Sequence, residues 1–333
     1  MKSVSRTAFA LIWALAQLSA QQPNGAHYKI TGPDAHENLS VFLIHGPSRS
    51  THKLITLQEA IAQKKVIVYE TRSVNQLAIE NVSEDDDVFI ESGDIVKGGQ
   101  QDRTLKDDFI LPTKSGKVEI SSFCVEHGRW TQRGQEPAAT FASASDMVAT
   151  KELKMAVRVQ ADQSKVWSQV AQAQDKLSAS MGAPARAAAS PTSFAMTMQV
   201  PAVQQSADSY IHDLARIIDS KSDTVGYAFA INGKINSAEI YASHELFAKL
   251  WPKLLKASAI EALSEYEPKA KFTAATVPMV AATLKDGESG QASMRRLNAR
   301  TRIEQKETGK TVLFETRDLS SDDWLHRSYL SKQ

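Results

Sequence analysis

The sequence predicts an α+β protein, with a strand-rich, largely antiparallel first unit and a second unit that mixes helix with sheet. Three observations predict it. Between residues 39 and 130, short runs rich in Val, Ile, Leu and Phe are joined by connections too short for the helical crossovers of a parallel sheet. Beyond residue 160, apolar side chains recur at helical spacing over long stretches. Between two of those stretches, Asn232-Gly233 separates two strand-like runs, and both residues of such a turn adopt positive φ, which Asn and Gly tolerate.

In chain order, 39–44 reads as the first strand, closed by Gly46-Pro47. Thr56 and Glu59 have capping-box spacing, with Leu57, Ala60 and Ile61 on one face of a short helix. Strands follow at 66–69, 77–79 and 88–90, and 155–159 alternates as a further strand. Val166, Val170 and Leu177 place an amphipathic helix over 163–177 within a helical segment 161–180. The small residues after Met181 supply little area to bury, so 181–205 reads as a flexible linker or loop. The mixed unit, 206–330, opens with a helix at 206–220 carrying Ile211, Leu214, Ile217 and Ile218. The hairpin around Asn232-Gly233 comes next, then a helix capped by Ser243 and running to Glu265, with Pro252 inside it, and a turn at Gly309 between two strands. The strand-rich unit occupies 39–160.

Composition narrows function without naming it. The 333 residues carry 39 Lys plus Arg against 38 Asp plus Glu, so no bulk field draws in nucleic acid. Lys2 and Arg6 precede an apolar run, and Leu18-Ser19-Ala20 supplies a small-residue end, an order that reads as a secretory signal over 1–20. Its removal takes two positive charges and no negative ones, leaving 37 against 38, or −1. No later segment is long and apolar enough for an integral membrane span, so the expectation is an exported protein, periplasmic or extracellular. Cys124 is the single cysteine, which excludes an internal disulfide and favours burial.

Two segments concentrate polar chemistry. In 91–103, Glu91 and Asp94 precede Gly98-Gly99, Gln100, Gln101, Asp102 and Arg103, and the two glycines permit positive φ or a close backbone approach. Neither a P-loop nor a three-glycine dinucleotide spacing is present, and no cofactor is named. In 123–130, strand alternation sends Cys124 and Glu126 to one face and Phe123, Val125 and His127 to the other. A buried Glu126 then needs a cation, and Arg103 and Arg129 are at hand. In one reading Glu126 is a general base with a raised pKa, Asp94 or Glu91 completes an acid–base pair, and Trp130 walls a pocket entered by a polar small molecule. In the other, the same residues pin two turns together. The spacings select no metal site. Asn38 and Asn81 stand in glycosylation sequons.

These two segments, with 163–167 and 226–247, resemble the ARPP-1 domain family, the domain associated with ADP-ribosylglycohydrolases and rhodanese-phosphatases. The likeness covers most of 35–330, with 181–193 as an expansion particular to this chain. The polar positions that match are Glu91, Asp94, Gln100, Gln101, Asp102, Arg103, Cys124, Glu126, Arg129 and Trp130. The resemblance implies handling of ADP-ribose or another nucleotide-derived molecule. The expectation is therefore an exported polar small-molecule binding protein, with a hydrolase as its enzymatic variant and a non-catalytic scaffold or interaction module as the alternative.

Overall fold

The computed structural model describes residues 28–49 and 53–333, without the side chains of Ala144 and Ser145; the expected export segment, 1–20, lies outside the described residues. An eight-stranded antiparallel sheet runs, edge to edge, through Lys29–His36, Leu39–His45, Thr224–Ile231, Lys234–Tyr241, Asp323–Ser331, Thr311–Asp318, Thr301–Glu307 and Gln291–Arg296. Its central strands are apolar or buried at nearly every position because both faces are covered. One face packs on helix His244–Ser264, with Gln163–Met181 and Pro201–Leu214 behind it. On the other face, Val280 and Leu284 of helix Val277–Glu288 meet Phe42, Ala228 and Ile240.

A closed barrel takes the strands Gly116–Cys124, Gln76–Asn81, Val66–Ser73, Thr140–Met147, Asp94–Gly98 and Arg103–Leu105 in that order. A small sheet pairs Leu54–Thr56 with Asp87–Ile90 in parallel and Asp87–Ile90 with Phe109–Leu111 antiparallel. Val66, Val68, Leu77, Ile79, Val96, Leu105 and Phe141 belong to the apolar core of this half. The α+β class is as predicted, and antiparallel pairing dominates. The large sheet nevertheless draws strands from both predicted units, since Leu39–His45 lies between Lys29–His36 and Thr224–Ile231. Among the described residues no helix is long and apolar enough to cross a membrane.

Local signals set many boundaries. Thr56 accepts from the Glu59 amide at 3.2 Å while Glu59 reaches back to the Thr56 amide at 2.7 Å, completing the capping box of Leu57–Ala62. Asn232 and Gly233 take φ of 51° and 76° in their turn. Ser243 caps His244–Ser264, which continues through Pro252. The helix expected at 206–220 is Pro201–Leu214 followed by a 3-10 turn, Ala215–Ile218; Pro201 begins it because the first helical turn does not need its missing amide hydrogen.

Two expectations are corrected. Residues 155–159 are not a strand: Thr150 caps helix Lys151–Met155, which runs into a π-helical turn, Ala156–Gln160. The segment 181–205, expected as a flexible linker or loop, is turns and loop over 182–193, but then forms helix Phe194–Thr197 and the start of helix Pro201–Leu214. Ala185, Ser193, Phe194, Ala195 and Thr197 are fully buried and Ser190 nearly so. Small side chains bring this segment's backbone close to the barrel mouth, where its hydroxyls meet buried acids. Asn38 and Asn81 are buried too, donating to the Ala262 carbonyl and to the Asp86 and Leu111 carbonyls, so the folded protein presents neither sequon.

Candidate functional site

The Gly98-Gly99 bend joins two barrel strands, with φ of 125° and 51°. A Cβ on Gly99 would lie 2.4 Å from the Phe141 ring and 2.5 Å from Glu70 Oε2, so the close approach these glycines permit is to the protein's own side chains. The Gln100 amide donates to Glu70 Oε2 at 2.9 Å. Gln101 is fully buried and donates to the Glu126 carbonyl at 2.9 Å.

The second motif leaves strand geometry after Cys124, so the alternation expected over 123–127 stops short. Phe123, Cys124, Val125 and Glu126 are all buried. Glu126 comes together with Asp102 and Arg129, a meeting with Asp102 that the sequence reading did not specify, and both carboxylates are saturated. Glu126 Oε1 accepts from Arg129 Nε at 2.7 Å, from Arg133 Nη1 at 3.2 Å and from the Ser190 hydroxyl. Its Oε2 accepts from the Asp102 amide at 2.9 Å and pairs with Arg129 Nη2 at 2.7 Å. Asp102 receives both terminal nitrogens of Arg133 at 2.9 Å, the Ser193 hydroxyl at 2.6 Å and the Gly98 amide at 3.1 Å. The remaining Arg129 donors serve the Gly98, Gly99 and Thr131 carbonyls.

Two expectations about Glu126 change. Burial raises its pKa, but the bonds from Arg129, Ser190 and the Asp102 amide outweigh burial and hold the carboxyl below its ordinary value, so it does not gain the basicity of a general base. Its second guanidinium is Arg133, not Arg103. Arg103 is in register with Cys124 on the neighbouring barrel strand, so the two share a face. Arg103 Nη1 donates to Cys124 Sγ at 2.8 Å and its Nη2 lies 3.7 Å from Glu70 Oε1. By period two, Glu70 continues the row Val66, Val68, and Arg103 continues the row of Leu105, which makes one end of the barrel interior polar. Trp130, 45% exposed, lies over the Arg103 guanidinium with 5.8 Å to the ring centroid. Burial pushes the Cys124 thiol up to about 11 despite Arg103.

Glu91 and Asp94 join a different cluster. Lys253 of helix His244–Ser264 pairs with Glu91 Oε2 at 2.9 Å and with Asp94 Oδ1, and the Tyr241 hydroxyl donates to Glu91 Oε1. Burial raises the Asp94 pKa against the pull of Lys253, with Glu91 adding to the rise. Tyr241 stacks on His326 at 4.3 Å. His326 binds Asp108 at 2.8 Å through Nδ1 and Glu239 at 3.1 Å through Nε2; these partners overcome burial and lift its pKa to about 10. Glu91, Lys154, Arg158, Glu239 and His326 line a cavity of about 10 Å³, room for about one water. The acids Glu91, Asp94, Asp108 and Glu239 thus face the bases Lys253, His326, Lys154 and Arg158, four against four.

The sequence reading missed a third polar site. A surface pocket of about 370 Å³ is lined by Lys151, Lys176, Asn232, Lys234, Asn236 and Glu261, among others. Glu261, 2% exposed, accepts at Oε1 from the Lys151 amide at 2.6 Å and from Asn236 Nδ2 at 2.7 Å. Its Oε2, Asn236 Oδ1 and Asn232 Oδ1 are buried without a partner among the described residues. Burial pushes the Glu261 carboxyl up to about 7, against Lys154 and the two bonds. Glu261 lies eight residues after Lys253 on one helix, and that i, i+4, i+8 spacing from a buried lysine was the available signal. Arg133, Ser190 and Ser193, also missed, carry no comparable pattern. Among the described residues no group of three His, Cys, Asp or Glu side chains is arranged to hold a metal ion.

Residues 27–330 match the family model of the ARG and Rhodanese-Phosphatase-superfamily-associated Protein domain, ARPP-1. No curated protein and no solved structure matches the chain.

Proposed function

Because the chain belongs to the ARPP-1 family, which is associated with ADP-ribosylglycohydrolase and rhodanese-phosphatase systems, we propose that it is an exported protein that binds a polar, nucleotide-derived small molecule. The observation that carries this reading is the pocket around Glu261, of about 370 Å³ and so of ordinary ligand-site size, with buried acceptors that no group among the described residues satisfies. An unpaired buried acceptor costs roughly 1–3 kcal/mol, a cost that a donor on a ligand removes. Hydrolysis of an ADP-ribose-like ligand is the enzymatic form of the same reading, and Glu261, with a pKa of about 7, has the acidity to pass a proton near neutral pH. Export is supported by the basic, apolar and small-residue order of 1–20.

The saturation of Glu126 and Asp102 favours a second reading for that cluster alone: it is the scaffold that locks the Gly98-Gly99 bend to 126–133 and to Ser190 and Ser193. Thermal denaturation of the full-length protein with ADP-ribose, nucleoside monophosphates, simple sugars and sugar phosphates tests the binding reading. At a ligand concentration of about 100 Kd the stabilisation is about 2.7 kcal/mol, a shift of several degrees. An unmoved melting temperature across the set at millimolar ligand overturns it.

A further inference from the structure

Resting on that reading, we infer that the Glu261 pocket takes a phosphorylated sugar, whose hydroxyls donate to Glu261, Asn236 and Asn232 and whose phosphate meets Lys234. The floor of the pocket asks for donors. Asn236 commits Nδ2 to Glu261 Oε1, and Asn232 commits Nδ2 to the Glu265 carbonyl at 3.0 Å, so each amide leaves its Oδ1 as an unpaired acceptor. Glu261 Oε2 is a third. Neighbouring hydroxyls of a sugar ring supply several donors from one rigid body, which suits acceptors held on a strand, a turn and a helix.

The charges around the pocket lean towards an anion: Lys151, Lys176, Lys234 and Lys332 line it against Glu152, Glu261 and Glu265, four ammonium groups to three carboxylates. Three of these ammonium groups are engaged: Lys151 Nζ donates to the Gln333 carbonyl at 2.6 Å, Lys176 pairs with Glu265, and Lys332 pairs with Glu307 at 2.6 Å. Lys234, exposed at the start of its strand, has no partner among the described residues. A lysine without a counter-ion beside unpaired acceptors is the polarity of a ligand that is an anion at one end and a polyol at the other. Lys234, Ile235 and Gln333 also line a second cavity of about 450 Å³, with Met279 and Ala282 on its wall, so a larger substituent on the phosphate has room beyond the lysine.

Isothermal titration of the full-length protein with ribose 5-phosphate, ribose and inorganic phosphate separates the two halves of the site. Ribose 5-phosphate is expected to bind at least about tenfold more tightly than either of the others, the size of one charge-assisted hydrogen bond. Lys234→Ala should remove that advantage and leave ribose binding unchanged, while Glu261→Gln, nearly isosteric, should weaken ribose and ribose 5-phosphate alike by about tenfold. The melting temperature of each variant verifies folding. Ribose 5-phosphate binding no better than ribose, or unaffected by both substitutions, overturns the inference. If ribose 5-phosphate fails while another polar molecule raises the melting temperature, binding stands and the sugar phosphate falls; if the whole set fails, both fall.

Discussion

Glu126 and Glu261 are both buried carboxyls, and their pKa values move in opposite directions from the same ordinary value of 4.5. Burial pushes each upward. Glu126 has two guanidinium groups and a serine hydroxyl on its oxygens, whereas Glu261 has an amide side chain, a backbone amide and the more distant charge of Lys154. Opposite pH behaviour follows. The folded pKa of Glu261 lies above its ordinary value, so its contribution to stability is complete below pH 4.5 and is lost as the pH rises through about 7. Glu261→Gln abolishes that loss: denaturant unfolding should show the variant gaining on the parent between pH 4.5 and pH 8 by roughly 3 kcal/mol. Glu126 has a lowered pKa, so its contribution is present above pH 4.5 and is lost as the pH falls through its folded value. Glu126→Ala leaves Asp102 alone to answer both Arg129 and Arg133, a cost of about 3–5 kcal/mol in the same experiment at neutral pH. A loss below about 1 kcal/mol would remove the scaffold role from this network.

Elements whose cause lies within a few residues were legible in the sequence. The Thr56 and Glu59 box, the Asn232-Gly233 turn and the Ser243 cap each act through a bond or dihedral in the same turn, so the residues announce the geometry. Residues 155–159 misled because Met155, Val157 and Val159 alternate as a strand does, while what decides the conformation is a helix started by Thr150 and the burial of Lys154 and Arg158 on a common side. The segment 181–205 misled for a related reason. Its small residues offer little apolar area, but Ser190 and Ser193 bind Glu126 and Asp102, whose positions are set 64 and 91 residues away. Ser193 also accepts from the Met196 amide at 3.0 Å, capping helix Phe194–Thr197. Ser193→Ala removes both bonds and leaves Asp102 one donor short. A loss of about 1–3 kcal/mol in unfolding free energy is expected. If the variant melts with the parent, the segment is held by its apolar residues alone.

At the scale of the whole molecule, the site residues meet through topology that no local pattern encodes. Glu91 and Asp94 come from the barrel half and Lys253 from the helix between barrel and sheet, 159 residues beyond Asp94. Asp108 lies in the loop before Phe109–Leu111 and meets His326 of the large sheet. These buried pairs join the halves that the sequence reading divided, as does the placement of Leu39–His45 one strand in from the edge of a sheet otherwise built mostly from later strands. The barrel encloses one more group with a use of its own. Cys124 is 0% exposed, its sulfur between Arg103 and the Val74 carbonyl, and its high pKa keeps it in the unreactive thiol form. As the chain's single thiol, it is a natural stopwatch for the fold: a maleimide should consume it on the order of a thousandfold or more slowly in buffer than in denaturant. Following that reaction with and without a bound metabolite would report, from one sulfur atom, whether occupancy near the C-terminal end of helix His244–Ser264 tightens the barrel.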